Sequence, residues 1–250
     1  MRKITETDTR DNINWQCLAD ADAVATHAAD LILQAAVNAI HERGVFHLVL
    51  AGGRTPGKVY QRLAKAQADW KNWQLYFGDE RCLPADHPER NSRMAANAWL
   101  DNGAIPVENI HSVPAERGAE TAATNYSSVI DHARPFDLVL LGMGEDGHTA
   151  SLFPGQLHPD TESVHAIHNA PKPPPDRVSL SRSSLSDSRD VLVLITGTGK
   201  RTAVQQWQSG EALPIAGITA RHRMTVLVDE AAAARITGIL PPSPSTAVSD

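Results

Sequence analysis

Apolar side chains recur along this chain with two alternating periods, and the alternation predicts its elements. Between residues 22 and 43, Val24, Ala28, Leu31, Ala35 and Ala39 share one stripe, with Ile32, Ala36 and Ile40 beside it. That is the spacing of an amphipathic helix, and Gly44 supplies its stop. An apolar run at 45–50 follows, then the turn Ala51-Gly-Gly-Arg-Thr-Pro56, then a helical pattern at 57–68 with Val59, Tyr60 and Leu63 inward. Strand, glycine turn and helix return further on, with strands at 75–77, 137–141, 177–180, 191–196 and 225–228, and helices at 91–100, 121–132 and 200–208. Short apolar strands alternating with helices build an α/β fold, a mainly parallel sheet with helices on both faces.

The strand at 137–141 ends in the most informative segment, GMGEDGHTASLFPG, residues 142–155. Open α/β sheets bind ligands beyond the carboxyl ends of their strands, so Asp146 and His148 stand where chemistry is usually done. An imidazole oriented by a carboxylate is a general base at neutral pH. Gly142, Gly144 and Gly147 also match the spacing of a dinucleotide fingerprint. That reading lacks its context: Pro154 and Gly155 stop any long helix, and no apolar strand precedes Asp160 and Glu162.

Three further strand ends carry polar residues. Gly52, Gly53, Arg54 and Thr55 precede a helix, as backbone amides and a helix dipole do when they cradle a phosphate; the same loop also reads as a tight turn. Asp79-Glu80-Arg81 offers either a solvated ion-pair cluster or an anion-stabilising arginine. Thr196-Gly-Thr-Gly-Lys200 places a lysine at a helix start, and Arg177 opens a short β-rich run; both also read as structural or surface cations.

Composition narrows the classes. With 250 residues and 42% hydrophobic content the chain suits one α/β domain, expected over 1–240, with a disordered tail at 241–250. A net charge of −6 disfavours nucleic acid and membrane surfaces as partners, and no signal peptide or long apolar run is evident, so a cytoplasmic monomer is expected. Cys17 and Cys82 form no CxxC, so neither a disulfide framework nor a zinc site is expected, and Cys82 packs as a small apolar residue. His158, His165 and His168 read as solvated loop histidines rather than metal ligands, and the proline-rich segment 170–177 as a stiff loop at the sheet's edge or mouth.

Phosphate-type cradles, separated cations and one His/Asp pair together suit a sugar phosphate and ester hydrolysis. At this point AGGRTP, GDERCLPADHPERNS, GMGEDGHTASLFPG, RVSLS and TGTGK, in order over nearly the whole domain, resemble the 6-phosphogluconolactonase family. The resemblance implies a Rossmann-like sheet shared with glucosamine-6-phosphate deaminase, and hydrolysis of a sugar-phosphate lactone without metal or organic cofactor. It implies His148 as the base that activates water, Asp146 as its orienting partner, Arg81 on the oxyanion and Asp79 holding local geometry. It also implies Gly52, Gly53, Arg54, Thr55, Arg177 and Lys200 on the 6-phosphate, although Ala51 and Arg54 replace the family's usual serines. The deaminase alternative lacks its ring-opening glutamate, since Phe153 stands in that place. A sugar-phosphate sensor would need a helix-turn-helix, for which the first twenty residues are too short.

Overall fold

The computed structural model describes residues 13–233. Strand β1 (Ile13–Leu18) leads into helix α1 (Ala21–Arg43), whose Asp20 cap accepts from the amides of Asp22 and Ala23 and whose end is closed by Gly44 at φ 78°. By length and composition α1 could cross a membrane. It instead buries a stripe that includes Val24, Ala28, Ile32 and Ala36 in the core. The chain continues through β2 (Phe46–Leu50), α2 (Arg54–Leu63), β3 (Trp73–Phe77), β4 (Asp79–Arg81), α3 (Asn91–Ala98), β5 (Ile110–His111), α4 (Ala119–Ala133) and β6 (Phe136–Gly142). Then come β7 (Val164–Ile167), β8 (Arg177–Leu180), α5 (Arg182–Ser186), β9 (Ser188–Ile195), α6 (Arg201–Ser209) and β10 (Arg223–Asp229).

Seven strands form one sheet in the order β1-β10-β9-β6-β2-β3-β5, every pairing parallel. The expected α/β fold with a mainly parallel sheet flanked by helices is therefore present. From β2 the chain builds outward through β3 and β5, then returns across β2 to add β6, β9 and β10 on its other side. The order reverses between β2 and β6, the position at which open α/β sheets leave a crevice for ligands.

Several expectations need correction. The edge strand β1 is an addition to the expected elements; its signal is present in the sequence, where Ile13, Trp15 and Cys17 alternate with Asn14 and Gln16. The segment 177–180 is a strand but belongs to a second, antiparallel sheet in the order β4-β8-β7. Asp79 to Arg81 is thus paired strand and not loop. Helix α2 starts at Arg54, three residues early, because Pro56 with its fixed φ fits a first helical turn. His165 lies on β7, only 3% exposed, its Nδ1 3.1 Å from Glu162, and is no solvated loop histidine. His158 is half-buried and accepts from the Phe153 amide. His168 is exposed, as expected, and bonds Asp176 and Glu120. The tail 241–250 and the first residues of the expected 1–240 domain lie outside the described residues.

Candidate active site

The end of β6 explains how Asp146 and His148 come together. After Gly142 the chain turns back on itself: Gly144 N–H donates to the His148 carbonyl at 2.8 Å, and the Thr149 hydroxyl donates to the Gly142 carbonyl at 2.9 Å. This folds the imidazole over the turn, where Nδ1 meets Asp146 Oδ1 at 2.5 Å. Close packing requires glycine at 144, since a Cβ there would lie 2.0 Å from Nδ1. With Nδ1–H donated to the carboxylate, Nε2 carries the lone pair of the neutral ring, and it makes no hydrogen bond among the described residues. Burial pushes the His148 pKa below its ordinary value despite the opposing pull of Asp146. The imidazole packs against Phe153, ring centroids 4.7 Å apart.

Asp79 is buried, and both its oxygens are occupied. Oδ1 accepts from Asn91 at 2.9 Å and Oδ2 from the Ser151 hydroxyl at 2.7 Å. Burial raises its pKa, offset by Ser151, Arg81 and Arg177. This ties the β4 strand to the segment after His148. Neighbouring Glu80, fully buried, accepts from the amides of Arg81, Asn91 and Ser92 and from the Ser92 hydroxyl, and pairs with Arg90 at 3.3 Å. A carboxylate at the start of α3 satisfies its free amides and complements its dipole. Arg81 donates from Nη1 to the Glu89 carbonyl, while its buried Nε finds no hydrogen-bond partner among the described residues. A buried donor left unpaired is uncommon enough to mark a group that the protein alone does not satisfy.

A cavity of about 210 Å³ collects these groups, with Gly52, Asp79, Arg81, His148, Arg177 and Lys200 among its lining. A second, of about 380 Å³, shares Gly52, Gly53, Gly142, Met143 and Lys200 with it and adds Arg54 and Thr55. The hydroxyls of Thr55 and Thr196 meet at 2.7 Å, joining the first turn of α2 to the loop after β9. Burial lowers the Lys200 pKa, against the attraction of Glu145. A larger cavity of about 770 Å³ runs past Trp207 and Leu213 and holds none of the candidate groups, so size does not locate the site. Among the described residues no three His, Cys, Asp or Glu side chains converge as metal ligands.

Arg177, for which the sequence leaves both a phosphate-binding and a structural role open, lines the cavity and is largely engaged by the proline loop. It is 4% exposed, and its Nη2 donates to the carbonyls of Lys172 and Pro173, each at 2.9 Å, its Nε to that of Pro174 at 3.1 Å. Only Nη1, 3.5 Å from the Ser151 hydroxyl, is uncommitted to the proline loop. A phosphate takes a guanidinium by a free edge, so this residue is a loop clamp before it is a phosphate ligand. Asn91, Ser151 and Lys172 are not singled out by the sequence, and Glu80 is named there only within the Asp79–Arg81 cluster. Asn91, Ser151 and Glu80 lie inside quoted motifs, but no local pattern marks their partners.

A doubly wound sheet that brings an Asp-oriented imidazole, an arginine and a lysine to the lining of one crevice defines an α/β enzyme site for a small anionic ligand. The comparisons narrow that class. The profile described as "Glucosamine-6-phosphate isomerases/6-phosphogluconolactonase" matches residues 19–227, and the chain belongs to this family. It is 36% identical to a 6-phosphogluconolactonase of Streptomyces coelicolor over 251 residues, 90% of this chain and 95% of that one. It is 33% identical to one of Nostoc, covering 89% and 98%. The crystal structure of 6-phosphogluconolactonase from Thermotoga maritima superposes with TM-score 0.82 at 29% identity, covering 87% of this chain and 100% of that one. A monomeric glucosamine-6-phosphate deaminase shares the fold, with TM-score 0.77 at 20% identity over 88% and 98%.

Proposed function

We propose that the protein hydrolyses 6-phospho-D-glucono-1,5-lactone to 6-phosphogluconate, the step its relatives are named for in the oxidative pentose phosphate pathway. The observation that carries the reading is the 2.5 Å contact of Asp146 with His148 Nδ1, which leaves Nε2 without a partner among the described residues, in a cavity that Arg81 also lines. Nε2 takes a proton from water as its oxygen attacks the lactone C1. Arg81 stabilises the oxyanion of the tetrahedral intermediate, and Asp146 stabilises the imidazolium. When the intermediate collapses, the ring oxygen leaves as a hydroxyl, taking the proton back from His148, and the product acid ionises. No covalent enzyme intermediate is needed, since a δ-lactone is already an activated ester.

Asp79, held by Asn91 and Ser151, positions Arg81 and the turn that carries His148. Gly52, Gly53, Arg54, Thr55 and Lys200 take the 6-phosphate in this reading, where loop amides and two cations adjoin one crevice. Phe153, packed on His148, supports hydrolysis over aldose–ketose isomerisation, because it offers no carboxylate for ring opening. The proposal takes the enzyme as a cytoplasmic monomer acting on a small substrate, and the net charge of −6 disfavours nucleic acid and anionic membranes.

Coupling product formation to 6-phosphogluconate dehydrogenase tests it, with spontaneous hydrolysis as baseline. Wild type should exceed the baseline by orders of magnitude and folded His148→Ala should fall close to it. Wild type no faster than buffer would refute the function, and a fully active His148→Ala would refute the role of the imidazole.

A further inference from the structure

The segment Ala170 to Arg177 has backbone N–H groups at only four of its eight residues. Pro171, Pro173, Pro174 and Pro175 lack N–H groups, so the carbonyls around them cannot be paired by a regular ladder. The structure supplies the donors from one side chain. Arg177 serves the carbonyls of Lys172, Pro173 and Pro174 with a single guanidinium, and the Ala170 amide closes the loop on the Pro175 carbonyl at 2.9 Å. The same guanidinium lies 5.4 Å over the Phe153 ring, which is the ring packed against His148. Loop, clamp and base are therefore one packed unit.

The loop holds Lys172 against the site. Its Nζ lies 3.5 Å from Asp146 Oδ1, the oxygen that also takes the His148 Nδ1–H. We propose, resting on the lactonase reading, that Lys172 is a positioning residue of the base, mounted by Arg177 so that its ammonium steadies Asp146 and opposes positive charge on the imidazole. Asp146, Asp79 and Lys172 act on the His148 charge, and Arg81, Arg177 and Lys200 line the same cavity. Burial disfavours the imidazolium most, Asp146 and Asp79 favour it, and Lys172, the cation in contact with Asp146, adds to burial in holding the ring neutral. Against burial, Asp146 is held ionised chiefly by the hydrogen bond from His148, with Lys172 adding to it, and an ionised Asp146 secures the Nδ1–H tautomer. During turnover the effect is to return the proton readily to the leaving ring oxygen.

A general base works while unprotonated, so activity is present above the His148 pKa and lost as pH falls through it. The acid limb of kcat/KM should lie below the ordinary histidine value of about 6.5. The test compares wild type, Lys172→Met, Lys172→Arg and Arg177→Lys in two readouts: the acid limb with 6-phosphogluconolactone, and titration of the His148 imidazole by NMR, which needs no turnover. Lys172→Met should raise both by about half a unit to one unit, roughly a threefold to tenfold gain in proton affinity. Lys172→Arg should restore wild-type values. Arg177→Lys, unable to serve three carbonyls, should shift them the same way without adding to Lys172→Met.

An unmoved titration in both Lys172→Met and Arg177→Lys overturns the proposal. So does an unmoved limb with a raised KM, which would make Lys172 a substrate contact instead. If wild type turns nothing over while the titration still moves, the lactonase reading fails and the coupling of Lys172 to the base stands.

Discussion

Replacing Gly144 by alanine perturbs the Asp146–His148 pair with one methyl group. A Cβ at 144 would lie 2.0 Å from His148 Nδ1, 2.2 Å from Cε1 and 2.5 Å from Asp146 Oδ1, where ordinary contacts begin at 3.4 Å. The imidazole must therefore retreat by more than about 1 Å, a misplacement that costs about 100-fold in rate when it affects a reacting group. That corresponds to about 2.7 kcal/mol of transition-state stabilisation. Folding should suffer far less. Gly144 is not in the left-handed region, and the two side chains, 17% and 36% exposed, can swing toward solvent. Losing such a pair costs about 1 kcal/mol, or about 2–4 °C in Tm for a chain of this size. The assay is the coupled formation of 6-phosphogluconate above the spontaneous rate, with Tm measured on the same preparation. A variant within about threefold of wild type in kcat/KM would refute the steric reasoning, and a Tm fall beyond about 10 °C would show that the turn itself is rigid.

Glu80→Gln should be a stability lesion: an amide NH2 replaces one oxygen that accepts from two or more donors, leaving Arg90 and the amides at the start of α3 unmatched. Breaking one partner of a buried ion pair costs about 3–5 kcal/mol, so Tm should drop by at least about 6 °C, and a change under about 2 °C would contradict it. Lys200→Ala should raise KM for the phosphorylated lactone about tenfold or more while leaving turnover of unphosphorylated glucono-1,5-lactone nearly unchanged. Equal loss on both substrates would remove Lys200 from the phosphate.

Local pattern alone determined the alternation of helices and strands, the turn carrying Asp146 and His148, and the glycine loops after β2 and β9, because each is written in adjacent residues. Apolar periodicity and a run of glycines report burial and turning without reference to distant partners. What only the tertiary structure decided is where polar residues find each other. Asp79, Glu80 and Arg81 look like one charged cluster in sequence, yet in space they separate into a buried anchor bonded to Asn91 and Ser151, a helix cap paired with Arg90, and a guanidinium whose Nε has no partner among the described residues. Strands of three or four residues such as β4 and β7 carry too few positions for a period, and although 177–180 reads as a strand, its membership of a second sheet comes from antiparallel pairing with β4, about one hundred residues away. Arg177 shows the same limit: its type announced a cation, but whether it held a phosphate or a loop depended on which acceptors the fold placed within about 3 Å of its nitrogens.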